Sequence, residues 1–180
     1  MNADDIFKQL QAELGENVVF DFHEVGKNKD PWFQVDPFSI EQVAVKLKTD
    51  AALHFDYLEC ITGIDFPDDK QIHVVYHVYS YAKKHRVVIK ALLDREDPVV
   101  PTLSNVWPTA NWQERECFDL LGVLFDGHPD LRRLLLPDDW EGHPLRKDYE
   151  EASDYHGIPT IRANPIELFS IKLPEKKAQA

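Results

Sequence analysis

Between residues 55 and 93 the chain carries three successive stretches of β-branched and aromatic residues. The connections between them are so short that each stretch must return antiparallel to the last. Residues 55–64 form the first stretch, and Pro67-Asp68-Asp69 turns the chain. Residues 72–79 form the second, with Ile72, Val74, Tyr76 and Val78 on one side and His73, Val75, His77 and Tyr79 on the other. Residues 86–93 form the third, with Val87, Ile89, Ala91 and Leu93 facing inward. A period of two sends alternate side chains to opposite faces of a sheet. The pattern therefore predicts a meander with one face in a core.

The residues before the meander supply that core's second layer. Residues 4–14 read as a helix with Ile6, Phe7, Leu10 and Leu14 on one side, ended by Gly15. Residues 17–25 alternate as a half-buried strand, with Val18, Phe20 and Phe22 opposite Asp21 and His23. Residues 26–30 make a loop, and residues 32–35 return as a second strand. Ser39, with Gln42 three residues on, has the spacing of a capping box; the helix it opens buries Ile40, Val43, Ala44 and Leu47. The predicted order is α-β-β-α-β-β-β and then one more helix. That is an α+β fold in two layers, with helices on one face of a mostly antiparallel sheet.

Composition narrows the function classes. A chain of 180 residues, 43% hydrophobic, is one domain or one domain with an extension. A net charge of -12 argues against nucleic acid and against direct adhesion to anionic lipid. No run of about 18 apolar residues predicts a membrane span. The acidic start is neither a secretory signal nor a transit peptide, so a bacterial-type cytoplasm is the expected compartment. Cys60 and Cys117 are far apart and form no Cys-x-x-Cys pair. They read as buried fillers, not as ligands of a cluster or of zinc, which take four.

Residues 112–121 form a short charged helix. At about 100° per residue, Cys117, Phe118, Leu120 and Leu121 share an apolar arc. Arg115, Glu116 and Asp119 fall opposite it with Trp112 beside them, and Gly122 is placed to cap the end. Glu114 lies inside the apolar arc. Either the helix tilts to let that carboxylate reach water, or Glu114 is clamped by arginines downstream. Residues 123–125 are a short strand or a buried coil. Two Gly-His-Pro turns follow, at residues 127–129 and 142–144, with Arg132, Arg133, Arg146 and Lys147 around them. Regular patterning then stops, yet many apolar residues remain, among them Leu134, Leu135, Leu136, Trp140, Tyr149, Ile158 and Phe169. The expected organisation is an α+β domain over residues 1–125 and an extended, Pro-rich, partner-binding segment over residues 126–180, loose and charged from about Pro174.

Most catalytic chemistry finds no support. His73 and His77 sit about 13 Å apart if both lie on one strand face, too far to chelate together. His128 and His143 precede prolines and read as hydrogen-bonding turn residues. Asp65, Asp68 and Asp69 read as a solvated turn. There is no Gly-rich dinucleotide or phosphate loop, and no Ser or Cys nucleophile in a recognisable setting. Clustered arginines among leucines suggest interface anchors.

The run Glu114-Arg115-Glu116, Asp119, Leu120-Leu121, His128, Arg132 and Leu134-Leu135 resembles the signature of the C subunit of bacterial NADH:quinone oxidoreductase. That is the 30 kDa-type subunit of respiratory complex I. Residues 136–149, with His143, Arg146 and Tyr149, look like the block that follows in that family. The resemblance is close over about a fifth of the chain; elsewhere only length and element order agree. It implies a non-redox scaffold subunit of the peripheral arm. In that family electrons pass from NADH through FMN and Fe–S clusters on other subunits to quinone, coupled to proton translocation. It further implies no catalytic, cofactor-binding or metal residues in this chain, packing against the D, B and I subunits, and a peripheral place on the cytoplasmic side of the inner membrane. Glu114, Arg115, Glu116, Asp119, His128, Arg132, Arg133, His143, Arg146 and Tyr149 are the signature and interface residues it implies. The same pattern also suits membrane-bound hydrogenases and quinone reductases fed by ferredoxin or deazaflavin. A stand-alone adaptor is the alternative from another class.

Overall fold

A computed structural model describes residues 1–24 and 30–160. The loop expected at residues 26–30 lies almost wholly outside them, as do Phe169 and the tail from Pro174. Met1–Tyr149 forms one compact unit and Glu150–Ala180 a second.

The first unit is an α+β domain. Helix α1 (Ala3–Leu14) starts one residue before the expected position, on a reciprocal cap: Asn2 Oδ1 accepts from the Asp5 N–H at 2.7 Å and Asp5 accepts from the Asn2 N–H at 3.2 Å. Gly15 ends it with a positive φ. Strands β1 (Val19–His23) and β2 (Trp32–Val35) form a hairpin. A 3-10 turn, Pro37–Ser39, precedes α2 (Ile40–Thr49). The expected capping box at Ser39 is not formed; its hydroxyl donates to Asp36 at 2.7 Å instead. The cause is local, because Pro37 starts the turn early and leaves Ser39 inside it.

Strands β3 (Tyr57–Phe66), β4 (Gln71–Ser80) and β5 (His85–Asp94) are the expected meander. The sheet order is β1-β2-β5-β4-β3, and β2 runs parallel to β5, a pairing the sequence pattern does not suggest. The expected inward rows of β4 and β5 are buried. In β1 the phase differs: Val19 faces the core, and a bulge with Asp21 at φ 54 brings Phe22 back to it. Ile6 and Leu10 of α1 and Ile40, Val43 and Leu47 of α2 join the inward sheet residues in one cluster. Helices α1 and α2 therefore share one face of the sheet. Each such buried side chain contributes roughly 1.5–3 kcal/mol.

Two short strands, β6 (Val99–Pro101) and β7 (Leu124–Asp126), pair in parallel and bracket α3 (Ala110–Leu121). Helix α3 covers the outer edge of β3. The Ile61 N–H donates to Gln113 Oε1, the Gly63 N–H meets the Cys117 sulfur, and Leu121 packs so closely that a Cβ on Gly63 would overlap it. An edge strand left bare would invite pairing with another chain; here side chains of one helix occupy it.

The second unit contributes a two-strand hairpin to the described residues, β8 (Asp154–Tyr155) with β9 (Ile158–Pro159). His156 and Gly157 form its turn, both with positive φ.

Candidate functional site

The signature residues converge on α3, and most of them turn inward. Glu114 is fully buried. Its carboxylate accepts from the Thr102 hydroxyl and, at 2.7 Å, from the Leu103 N–H. Among the described residues no arginine clamps Glu114, and the buried carboxylate has no route to water. The segment that precedes the helix supplies the partners instead. Burial holds this carboxyl above the usual carboxylate range, against the pull of Thr102, Leu103 and His128.

His128 lies 3.9 Å from Glu114. Its Nδ1 accepts from the Asp130 N–H at 3.0 Å, which puts the ring proton on Nε2, facing the Asn111 carbonyl at 3.2 Å. The expected turn role is thus joined by a bond to the helix.

The helical projection puts Arg115 and Asp119 on the solvent side of α3, yet both are buried. The chain itself covers them. Arg115 donates to the carbonyls of Arg132 and Arg133, both at 3.1 Å, and lies over the exposed Trp112 ring. Asp119 accepts from the N–H groups of Leu134, Leu135 and Leu136 at 3.0, 2.7 and 2.9 Å, and from the Arg133 guanidinium at 2.9 Å. Burial pushes this carboxyl up, but the three backbone donors and the arginine prevail and hold it below the usual range. Arg133 also donates to the Trp140 carbonyl at 3.0 Å.

The last carbonyls of a helix have no partner within it. Here the second Gly-His-Pro turn supplies them. His143 Nδ1 donates to the Asp119 carbonyl at 3.0 Å, the Leu145 N–H to Leu120 at 3.0 Å, and Arg146 Nε to Leu121 at 2.8 Å. The arginine's charge also suits the negative end of the helix dipole. Gly122 caps the helix in the left-handed region, as expected, and Tyr149 packs over Gly142.

A second tie lies below. Asp65, expected in a solvated turn, is buried and gripped by Arg95 through two bonds of 2.7 and 3.0 Å. It also accepts from the Lys147 N–H at 2.8 Å, and Arg95 reaches on to Asp148. Asp68 and Asp69 are exposed.

Residues 126–149 therefore bond back onto the chain's own helix and sheet; the sequence alone assigns them to a partner. Glu116 and Arg132 stand apart. Both are exposed, and among the described residues the Arg132 side chain, 72% exposed, pairs only locally with Asp130 at 3.0 Å. Trp112, Leu135 and Leu145 are exposed beside them. Cys117 is buried as expected, but Cys60 is exposed. Among the described residues no group of three or more His, Cys, Asp or Glu side chains is placed to hold a metal, and no helix is long and apolar enough to cross a membrane.

Comparison with known proteins places this arrangement in context. The family described as the respiratory-chain NADH dehydrogenase, 30 Kd subunit, matches residues 33–155. The NADH-quinone oxidoreductase C subunit of Chloroherpeton thalassium is 40% identical over 153 residues, which cover 84% of this chain and 60% of that protein. Its counterpart in Chlorobium phaeobacteroides is 44% identical over 130 residues, covering 71% of this chain and 78% of the relative. The match thus spans about three fifths of the first relative's length. Among solved structures, a trypsin-resistant fragment of Nqo5 superposes with a TM-score of 0.61 at 26% identity, covering 73% of this chain and 100% of the fragment. A chain of the archaeal membrane-bound sulfane sulfur reductase shares the fold, with a TM-score of 0.67 at 23% identity over 98% of both chains.

Proposed function

Because this chain belongs to the respiratory-chain NADH dehydrogenase 30 Kd subunit family, we propose that it is a non-redox scaffold subunit of the peripheral arm of a proton-translocating NADH:quinone oxidoreductase. FMN and Fe–S clusters on partner subunits carry electrons from NADH to quinone, and this chain positions those partners without binding a redox centre. The D, B and I subunits are the proposed neighbours, on the cytoplasmic side of the inner membrane.

The observation that supports the reading most is the use made of the signature. Arg115, Asp119, His128, Arg133, His143 and Arg146 bond an irregular segment onto α3, while Glu114 ties the helix to the segment before it through Leu103. What that clamp presents outward is a fixed set of exposed groups, Trp112, Glu116, Arg132, Leu135 and Leu145. Apolar and arginine side chains on a rigid, irregular surface suit a stable protein interface better than a reaction site. We propose Arg132 and Glu116 as partner-facing residues, and the buried signature members as the frame that orients them.

The test is capture of a tagged chain from native membranes in mild detergent, with the eluate assayed for NADH-to-quinone electron transfer. Co-purification of a large complex with that activity is expected. A complex driven by hydrogen or ferredoxin would move the chain to a sister assembly. A lone monomer would overturn the subunit reading.

A further inference from the structure

Helices cover one face of the five-stranded sheet; among the described residues no helix covers the other. The pairing registers set its rows. Gln34, Lys90, Val75 and Thr62 form one row across four strands, and Trp32, Val88, His77 and Cys60 the next. Leu92, His73 and Ile64 form a third. Val75 and Val88 are already buried by their neighbours, while Ile64 is 41% exposed. This is a surface of apolar, aromatic and histidine side chains edged by Gln34, Cys60 and Thr62, and Lys90 lies at its middle.

Lys90 is the unusual member. Its ammonium sits 3.5 Å over the Trp32 ring, which is itself stacked on His23. Desolvation lowers its pKa, and it has no carboxylate within ion-pair distance among the described residues. The nearby charges are already matched: Asp21 is held by His23 and Gln34, and Arg86 by Asp30 and Glu59. In a chain of net charge -12, a partly desolvated cation without a counter-charge, among aromatics, is what an interface anchor looks like before its partner arrives.

We propose that this open sheet face is a docking surface for another protein subunit, which lays a carboxylate against Lys90 and apolar side chains over Trp32, His73 and Ile64. The proposal rests on the subunit reading above for the source of that partner. A polyanion is a poor occupant, since the net charge repels it at long range and the face offers one free cation among the described residues. A second copy is a poor occupant too. An isologous contact sets like faces together, and among the described residues this face has no unengaged central carboxylate to meet the other copy's Lys90.

The experiment compares the native complex captured by the tagged chain with the purified free chain. Lys90 is labelled by an amine reagent in both, and the complex is treated with a carbodiimide, which joins an amine to a carboxylate in direct contact. Labelling of Lys90 is expected to slow by about ten-fold or more in the complex, with a cross-link from Lys90 to an Asp or Glu of another subunit. Lys90→Glu should lower retention by a similar factor, while Lys83→Glu in the β4–β5 turn should not. The wild-type labelling needs no variant, so a poorly folded Lys90→Glu would not blunt the test. Equal labelling in complex and free chain would overturn the proposal alone. So would a cross-link to a second copy, or protection of Lys90 by anionic vesicles and not by the complex. Failure of the wild-type chain to capture any complex would overturn the subunit reading and this proposal with it.

Discussion

Glu114 and Asp119 lie on the same helix, both fully buried, and their carboxyls are pushed in opposite directions. Burial wins at Glu114; at Asp119 three backbone N–H groups and Arg133 overcome it. Their contributions to stability must therefore respond oppositely to pH. Asp119, depressed, stabilises the fold above its ordinary value near 3.8 and loses that as pH falls through the folded value. Glu114, raised, favours the fold below its ordinary value near 4.5 and loses that as pH rises through the folded value. Asp119→Asn should cost about 1–3 kcal/mol at neutral pH and flatten the acid limb. Glu114→Gln should lose less stability than wild type as pH rises above the ordinary carboxylate value. Urea midpoints of the free chain at several pH values read both. Parallel profiles for wild type and the two variants would contradict the assignment.

Arg132 and Arg133 are neighbours in sequence with different tasks. Arg133 bonds Asp119 and the Trp140 carbonyl, whereas the Arg132 side chain is exposed and bonds Asp130 alone among the described residues. Arg133→Ala should destabilise the free chain by about 1–3 kcal/mol, because it uncovers a buried carboxylate. Arg132→Ala should leave the free chain within about 0.5 kcal/mol of wild type; the proposed subunit role predicts that it also weakens incorporation into a membrane complex without altering flavin-linked NADH oxidation. The paired measurements are thermal melting of each variant and the amount of chain retained in the captured complex. Full retention and normal quinone reduction in Arg132→Ala would remove this residue from the interface.

The meander is legible in the sequence because Ile72, Val74, Tyr76 and Val78 obey a period of two that only a half-buried strand needs. The residues of the clamp are legible as a set, and their partners are not. A helical projection sends Arg115 and Asp119 to water, since it knows only the helix. The surface that buries them is made by residues 131–136, a leucine-rich stretch with no period of its own. Glu114 stands out as misplaced in an apolar arc, but its partners Thr102 and Leu103 carry no local signal. The parallel pairing of β2 with β5 is hidden for a similar reason: it follows from packing across the sheet and leaves no mark in either strand.

Gly122 is fixed by two independent constraints. Its φ of 79 lies in the left-handed region, and a Cβ there would meet His143 Nε2 at 2.6 Å. Gly122→Ala should therefore cost roughly 1–3 kcal/mol in backbone strain and also push His143 off the Asp119 carbonyl. Gly127→Ala is the control: its φ, at 76, is nearly the same, but a Cβ there would make only an ordinary contact with Thr102 at 3.6 Å. If crowding adds to strain, Gly122→Ala loses more stability than Gly127→Ala and makes residues 143–149 more open to limited proteolysis. Equal losses and unchanged proteolysis would mean that backbone conformation alone accounts for the glycine.

The two cysteines give a direct reading of whether α3 stays on the edge of β3. Cys60 is exposed at the surface, yet partial desolvation by its neighbours and then the nearby Glu116 and Glu59 raise its thiol. Cys117 is buried, with its thiol pushed up to about 12, chiefly by burial. The thiolate is the reacting form, so a raised pKa slows Cys60 and enclosure stops Cys117. In the native chain at pH 8, one thiol should react with a chromogenic disulfide reagent, more slowly than a free cysteine, and both should react in denaturant. Gln113→Ala frees the Ile61 N–H that the glutamine now occupies and loosens the helix where it guards Cys117. That variant should expose the second thiol at a measurable rate under native conditions while Cys60 reacts as before. If Cys117 stays silent in Gln113→Ala, then Leu121 packed on Gly63, and not the glutamine bond, is what keeps the helix on the strand.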